Sequence, residues 1–235
     1  MALWSKVLDY VGDATGTLAS VVEAVRTLFA GDPETRRRVA FSVAMIALSA
    51  KMAKADGIVT ADEVAAFQQI FAIPQAEAHN VARFYNLAKR DVAGFEAYAE
   101  RMAGLCGSGR RNCALLEDIL DGLFHIAKAD GVLHDKEMAF LARIAEIFRI
   151  DQADFEQIVA RHVRSEDFDP YRVLGIAADT DFANVKKRYR ELVVENHPDR
   201  LTARGVPPEF ITIANDRMVA LNTAFEAIER ERKAA

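Results

Sequence analysis

The sequence predicts an all-α protein in which a helical bundle is followed by a C-terminal helical hairpin. Three observations support this prediction. Apolar residues recur at the three- and four-residue spacing of helices along much of the 235-residue chain. A pattern of helix, Asp-Gly turn and helix occurs twice, 74 residues apart. Near the C terminus, two amphipathic segments flank a His-Pro-Asp tripeptide, and its proline cannot continue the first helix.

Composition places the chain among globular proteins and excludes several functions. Its apolar content of 51% can fill a core, and its formal net charge is −5. Residues 1–168 carry 19 basic and 24 acidic side chains, whereas residues 169–235 carry 11 of each. Nucleic acid is therefore not an expected partner, because it would require a basic surplus over a whole domain. We expect a cytoplasmic protein, since neither a membrane-spanning run nor a secretion signal is recognisable.

Residues 1–31 form an N-terminal amphipathic segment with two helical patterns, separated by Gly12 and Gly16. Three interpretations stay open for it: packing against the next domain, peripheral contact with a membrane, and self-association into a homo-oligomer. Trp4 and Lys6 are typical of a helix at a membrane interface, but acidic and basic residues interrupt any transmembrane span.

Residues 32–164 are predicted to form the helical bundle. Asp32 and Pro33 have the chemistry of a helix start, with Asp as the N-cap and Pro in the first helical position. This first helix should end near Ala55. Further helices are predicted over residues 75–89, over residues 92–105 and from Asp151 to about Val163.

The repeated Asp-Gly turn allows a structural and a metal-binding interpretation. In the first, glycine ends one helix, and Thr60 with Glu63 has the spacing of a capping box at the start of the next. This leaves the repeated aspartate unexplained. In the second, facing repeats bring four carboxylates together on a divalent cation, the one cofactor that the pattern suggests. The candidate ligands are Asp56, Glu63, Asp130 and Glu137.

Residues 165–235 are predicted to form the hairpin. A helix over residues 182–196 places Phe182, Val185, Tyr189, Leu192, Val193 and Asn196 on one face. A second helix should begin at Pro207-Pro208 and end near Arg230. Because Pro198 forces His197 out of the helical region, we expect the tripeptide to be an exposed polar loop between two antiparallel helices.

Four blocks of this region together resemble a J domain: Asp169 to Ile176, Val185 to Leu192, His197 to Arg200, and Leu221 to Ile228. The continuation from Leu201 to Phe210 more narrowly resembles the DjlA-type J proteins of bacteria. The duplicated Lys-Ala-Asp-Gly motif resembles the tellurite-resistance TerB family. A TerB-like bundle followed by a J domain is the layout of the DjlA-type cytoplasmic region.

The resemblance implies a co-chaperone, with no enzyme activity of its own, that binds a DnaK-type chaperone and stimulates its ATPase. Asp199 would offer a carboxylate to an arginine of the partner, while Pro198 limits the freedom of the loop and His197 orients it. Basic side chains would attract an acidic surface of the chaperone. They are Lys186, Lys187, Arg190 and Arg200.

The role of the bundle leaves two alternatives. As part of a co-chaperone, it would recruit a particular partner, whose identity the sequence does not reveal, or sense a condition. Otherwise the bundle itself is a metal- or stress-responsive binding module, and the J domain is secondary.

Overall fold

The structure is a computed structural model that describes residues 32–56, 78–90, 94–105, 113–129, 131–162, 168–204, 206 and 211–234. Within these residues the chain forms ten α-helices and no strand, which confirms the all-α prediction. The helices are α1 (Pro33–Asp56), α2 (Ala78–Arg90), α3 (Phe95–Leu105), α4 (Ala114–Ala127), α5 (Asp135–Phe148), α6 (Gln152–His162), α7 (Pro170–Leu174), α8 (Phe182–Glu195), α9 (Pro198–Arg204) and α10 (Ile211–Ala234).

Helix α1 is the centre of the bundle. Its predicted start is confirmed, because Asp32 Oδ1 accepts a hydrogen bond of 3.1 Å from the backbone N–H of Thr35. Between residues 39 and 53 every residue except Ser42 is buried. A helix that is apolar on all sides must be surrounded by others, and α1 packs against α2, α3, α4 and α5.

The remaining bundle helices lie close to their predicted positions. Helices α2 and α3 correspond to the two central predictions, and α6 begins after Asp151, whose Oδ1 accepts from the N–H of Asp154 at 3.1 Å. The turn between α4 and α5 contains Gly131 at φ +84°, a conformation that suits glycine because it has no Cβ. The second copy of the repeat is therefore a helix, a glycine turn and a helix, as predicted.

The C-terminal region begins with the short helix α7. Asp169 caps it by accepting hydrogen bonds from the N–H groups of Tyr171 and Arg172, at 2.9 and 3.2 Å. Gly175 ends it at φ +66°, where an added Cβ would lie 3.1 Å from the side chain of Gln157 on α6. Gln157 Nε2 also donates to the carbonyl oxygen of Val173 at 3.0 Å. This region is thus packed directly on the bundle.

Helices α8 and α10 form the predicted antiparallel pair. The rings of Tyr189 and Phe225 stack with centroids 4.3 Å apart, and Tyr189 Oη donates to Asn222 Oδ1 at 2.8 Å. Phe182, the first residue of α8, also stacks on Phe225. Helix α8 ends at Glu195 as predicted, whereas α10 continues four residues past Arg230 to Ala234.

The prediction that the whole tripeptide is a loop is wrong for its last two residues. Pro198 and Asp199 begin α9, and the carbonyl oxygen of His197 accepts from the N–H groups of Arg200 and Leu201 at 2.9 and 3.1 Å. Proline ends α8 but suits the first position of a new helix, where its fixed φ is helical and its missing N–H has no intrahelical role.

The C-terminal region, from α7 to α10, and the bundle share buried surface. Leu201, Val206, Ile213 and Ala214 belong to the same buried cluster as α1 and α4, and Ala160 of α6 packs into the cluster of α7, α8 and α10. In the described part of the chain, none of the helices has the length and apolar character that a bilayer crossing requires. The predictions for the amphipathic segment 1–31 fall outside the described residues.

Candidate functional site

The His-Pro-Asp tripeptide is exposed at the junction of α8 and α9. The side chain of His197 is 54% exposed and that of Asp199 is 93% exposed. The backbone N–H of Asp199 donates a hydrogen bond of 3.2 Å to His197 Nδ1, and the same nitrogen lies 3.5 Å from Asp199 Oδ2. Because the Asp199 side chain is almost fully exposed, its carboxylate is accessible to a partner.

Most of the predicted basic side chains are also accessible. Lys187, Arg190 and Arg200 are exposed, and none of them forms an ion pair with any residue that the structure describes. Lys186 is half-buried, with Nζ 4.5 Å from the centroid of the Phe182 ring. Three cations therefore face solvent on α8 and α9.

A buried cluster of charges, which the sequence analysis missed, adjoins the tripeptide. Arg217 of α10 is only 5% exposed. Its Nη1 donates to Asp118 Oδ1 at 2.8 Å and to Asn196 Oδ1 at 2.9 Å, while Nε and Nη2 donate to Asp121 Oδ2 at 3.0 and 2.9 Å. Asn196 directly precedes His197. One guanidinium therefore connects α4 of the bundle to the end of α8.

The second oxygen of Asp121 completes this cluster. Asp121 Oδ1 lies 3.1 Å from Nη2 of Arg161 and 3.1 Å from Nε2 of His162, both at the end of α6. Burial alone would raise the pKa of Asp121, but Arg217 and Arg161 hold it well below its ordinary value. Burial lowers the pKa of His162 to about 4, so its ring is neutral at pH 7. Two carboxylates thus balance two guanidinium groups.

A cavity of about 310 Å³ lies beside the cluster, between the bundle and α8. Glu117 and Asp154 line it on the bundle side, and Arg188, Glu195 and Asn196 line it on the other. Burial, followed by the charges of Asp154 and Asp118, raises the pKa of Glu117 to about 7. Glu117 is therefore partly protonated at neutral pH.

The metal prediction stays a prediction. Glu137 is buried, and its Oε2 accepts a hydrogen bond of 2.9 Å from the N–H of His134 at the start of α5. The side chains of Asp56, Glu63 and Asp130 lie outside the described residues. Within the described part, no three His, Cys, Asp or Glu side chains are grouped as metal ligands.

Comparison with known families matches the two regions separately. The family model "Tellurite resistance protein TerB" matches residues 42–160, and the model "DnaJ domain" matches residues 169–235. The fold and the exposed tripeptide, together with these matches, define a J-domain protein that carries a TerB domain. No solved structure matches the chain.

Relatives identify the family more narrowly. The chain is 31% identical over 228 residues to "Co-chaperone protein DjlA" of Photobacterium profundum, which covers 83% of this chain and 79% of that protein. It is 26% identical over 237 residues to the DjlA of Vibrio vulnificus, covering 86% and 82%. The match to the Escherichia coli DjlA is 30% identical over 141 residues, which is 50% of this chain and 52% of that protein. The chain belongs to the DjlA family of co-chaperone proteins.

Proposed function

We propose that this chain binds a DnaK-type chaperone through the His-Pro-Asp tripeptide and the basic surface of α8, and that it stimulates the chaperone's ATPase. One observation carries the proposal. His197 and Asp199 are exposed by 54% and 93%, although Asn196 before them and Leu201 after them are buried. A carboxylate held out on a rigid support is suited to a charge-assisted hydrogen bond with a partner's arginine.

The basic surface has a distinct role in this proposal. Lys187 and Arg190 project from α8 without ion pairs to any described residue, so they keep their full attraction for an acidic partner surface. Such attraction acts mainly on encounter and affinity and is screened by salt. The tripeptide, in contrast, acts after docking. The two parts should therefore affect different measured quantities.

The test is the steady-state ATPase of a purified DnaK-type chaperone, measured against increasing concentrations of the full chain. His197→Gln should abolish stimulation, whereas His79→Gln, a matched change of an exposed histidine on α2, should leave it unchanged. Equal stimulation by wild type and His197→Gln would refute the proposal. Circular dichroism of each variant checks that the fold is retained.

A charge-reversal pair tests the basic surface. Lys187→Glu with Arg190→Glu should raise the half-saturating concentration by about ten-fold or more at low salt, and less at high salt. The matched control is Arg101→Glu with Lys136→Glu, two exposed bundle residues whose reversal changes the net charge equally. The same rise in both pairs would show that only net charge matters and would contradict a localised binding surface.

For the bundle, we propose that it recruits a specific partner or senses a condition, and that a divalent cation on Asp56, Glu63, Asp130 and Glu137 is a candidate signal. Support comes from the duplicated Asp-Gly motif. Calorimetric titration of the full chain with Ca²⁺, Mg²⁺, Zn²⁺ and Mn²⁺ tests it. Binding of one ion, lost in Asp56→Ala and in Asp130→Ala, is expected. The absence of heat for all four ions would remove the idea.

A further inference from the structure

The segment that carries the His-Pro-Asp tripeptide is held by the bundle on both sides. Before it, Asn196 is 7% exposed, and its Oδ1 accepts from Arg217 Nη1 at 2.9 Å. After it, Leu201 and Val206 are buried in the same cluster as α1 and α4. The tripeptide therefore crosses from one anchored point to another, and His197, Asp199 and Arg200 are exposed between them.

The anchor before the tripeptide has a defined geometry. Asn196 Nδ2 donates to the carbonyl oxygen of Leu192 at 2.7 Å, so the side chain closes the last turn of α8. Its oxygen is then directed at Arg217, whose remaining donors are fixed by Asp118 and Asp121 on α4. A guanidinium is planar and its donors form a rigid fork. The bonds to Asp121 and Asp118 therefore also fix the direction in which Nη1 donates to Asn196.

The charges of this anchor are stable at neutral pH. Burial disfavours the charge on Arg217, but the carboxylates of Asp121 and Asp118 raise its pKa above the ordinary arginine value. The side chains of Arg217, Asp118 and Asp121 are each less than 5% exposed, so these bonds are much less accessible to water than bonds at the surface. The connection from α4 to Asn196 is therefore a rigid element of the fold.

We propose that Asn196 and Arg217 are positioning residues through which the TerB bundle holds the His-Pro-Asp tripeptide in the orientation that stimulates the chaperone. The proposal rests on the proposed function. Neither residue needs to touch the chaperone. They act by removing conformational freedom from the loop before docking, so that binding energy is not spent on ordering it. The bundle thereby becomes a part of the co-chaperone site.

The experiment compares full-length variants in the chaperone ATPase assay. Asn196→Ala removes the acceptor for Arg217, whereas Asn196→Asp keeps an oxygen at the same place. Asn196→Ala should lower maximal stimulation about five-fold or more, the scale of a coupling between two sites. Its half-saturating concentration should change less than about two-fold, because the basic surface of α8 is intact. Asn196→Asp should restore most of the stimulation.

Two further variants separate positioning from folding. Arg217→Lys keeps the charge but not the fork, and it should lower maximal stimulation like Asn196→Ala. Asp216→Asn is the matched control, because it removes the carboxylate charge beside His125 of α4 without touching Asn196. Thermal unfolding of each variant sets an assay temperature at which all are folded. A purely structural role would lower the melting temperature without changing maximal stimulation below it.

The outcomes distinguish this inference from the proposed function. If the wild type does not stimulate the ATPase, or if His197→Gln stimulates equally, the proposed function fails. If His197→Gln is inactive while both Asn196→Ala and Arg217→Lys match the wild type, only the positioning inference fails. Equal losses in Asn196→Ala and Asn196→Asp would also overturn it, because the loss would then come from the bond to Leu192 and not from Arg217.

Discussion

The two ends of the α8 and α10 pair are stabilised in different ways. At the end far from the tripeptide, the ring of Phe225 stacks on those of Phe182 and Tyr189 within the J domain. At the tripeptide end, Asn196 and Arg217 are held by carboxylates of the bundle. The ring contacts at the first end all lie within the J domain. The second is completed by side chains of the TerB domain, so the tripeptide end of the J domain depends on its neighbour for these contacts.

The largest expected effect on stability comes from disrupting the tripeptide end, where Arg217 meets Asp118 and Asp121 and which we call the charged end. Arg217→Met keeps a long apolar side chain but leaves Asp118 and Asp121 buried without their guanidinium, which should lower the free energy of unfolding by about 3–5 kcal/mol. Urea denaturation at pH 7 measures this loss. Arg230→Met, an exposed arginine on the same helix, is the matched control and should change it by less than about 0.5 kcal/mol. Similar losses in both would mean that the cluster contributes no more than a surface charge.

A smaller and more local effect on stability is expected at the other end, where Phe225 stacks on Phe182 and Tyr189 and which we call the aromatic end. Phe225 is half-buried and contacts two rings. Phe225→Ala should therefore lower the free energy of unfolding by about 2 kcal/mol, less than the same substitution of a fully buried phenylalanine. Hydrogen exchange should show lower protection in α8 and α10, while α1 and α4 keep theirs. Loss of protection throughout the bundle would contradict the independence of this end.

The sequence predicted the aromatic end well, because its determinants are local. Apolar residues at helical spacing gave the extent of α8, and Tyr189 was assigned to packing from its place on the apolar face. Pro198 predicted the end of α8 correctly, but the fixed φ of proline also suits a helix start, which the loop prediction did not take into account. Antiparallel pairing then followed from two helices joined by a short segment.

The charged end was missed because its partners are distant in sequence. Arg217 is separated from Asp121 and Asp118 by 96 and 99 positions, and no periodicity reports such a contact. A signal was nevertheless present. Arg217 has the helical spacing of Ala214 and Leu221, which are buried, and Asp118 and Asp121 stand within the apolar helix α4. A charge on an apolar face requires a partner, because burying it alone is too costly.

Glu117, on the bundle side of the cavity, should make the stability of the protein depend on pH. Burial raises the pKa of Glu117 to about 7, so the stability that its protonated form provides is present below pH 4.5 and is lost as the pH rises through 7. Glu117→Gln removes this loss. After allowance for partial exposure, we expect the variant to match the wild type near pH 4.5 and to be more stable by about 1–2 kcal/mol at pH 8.

Thermal unfolding of the wild type and of Glu117→Gln between pH 4.5 and 8 measures the difference in their stability. His162 opposes the trend, because burial lowers its pKa to about 4 and its stabilising contribution is lost as the pH falls from 6.5 to 4. That loss is common to both proteins and cancels in their difference. A difference that stays constant with pH would show that the pKa of Glu117 is the same in the folded and unfolded protein and that burial does not raise it.

The smallest expected effect concerns the exposed contact between the two domains. His125 Nδ1 lies 2.9 Å from Asp216 Oδ2, and the two side chains are 18% and 48% exposed. Because the contact is partly open to water, Asp216→Asn should lower the free energy of unfolding by no more than about 0.5 kcal/mol. Urea denaturation measures this difference. A loss approaching that of Arg217→Met would mean that docking of the two domains depends on the His125–Asp216 contact as much as on the buried cluster. The contrast between the two ends of the hairpin would then no longer explain why the tripeptide is fixed.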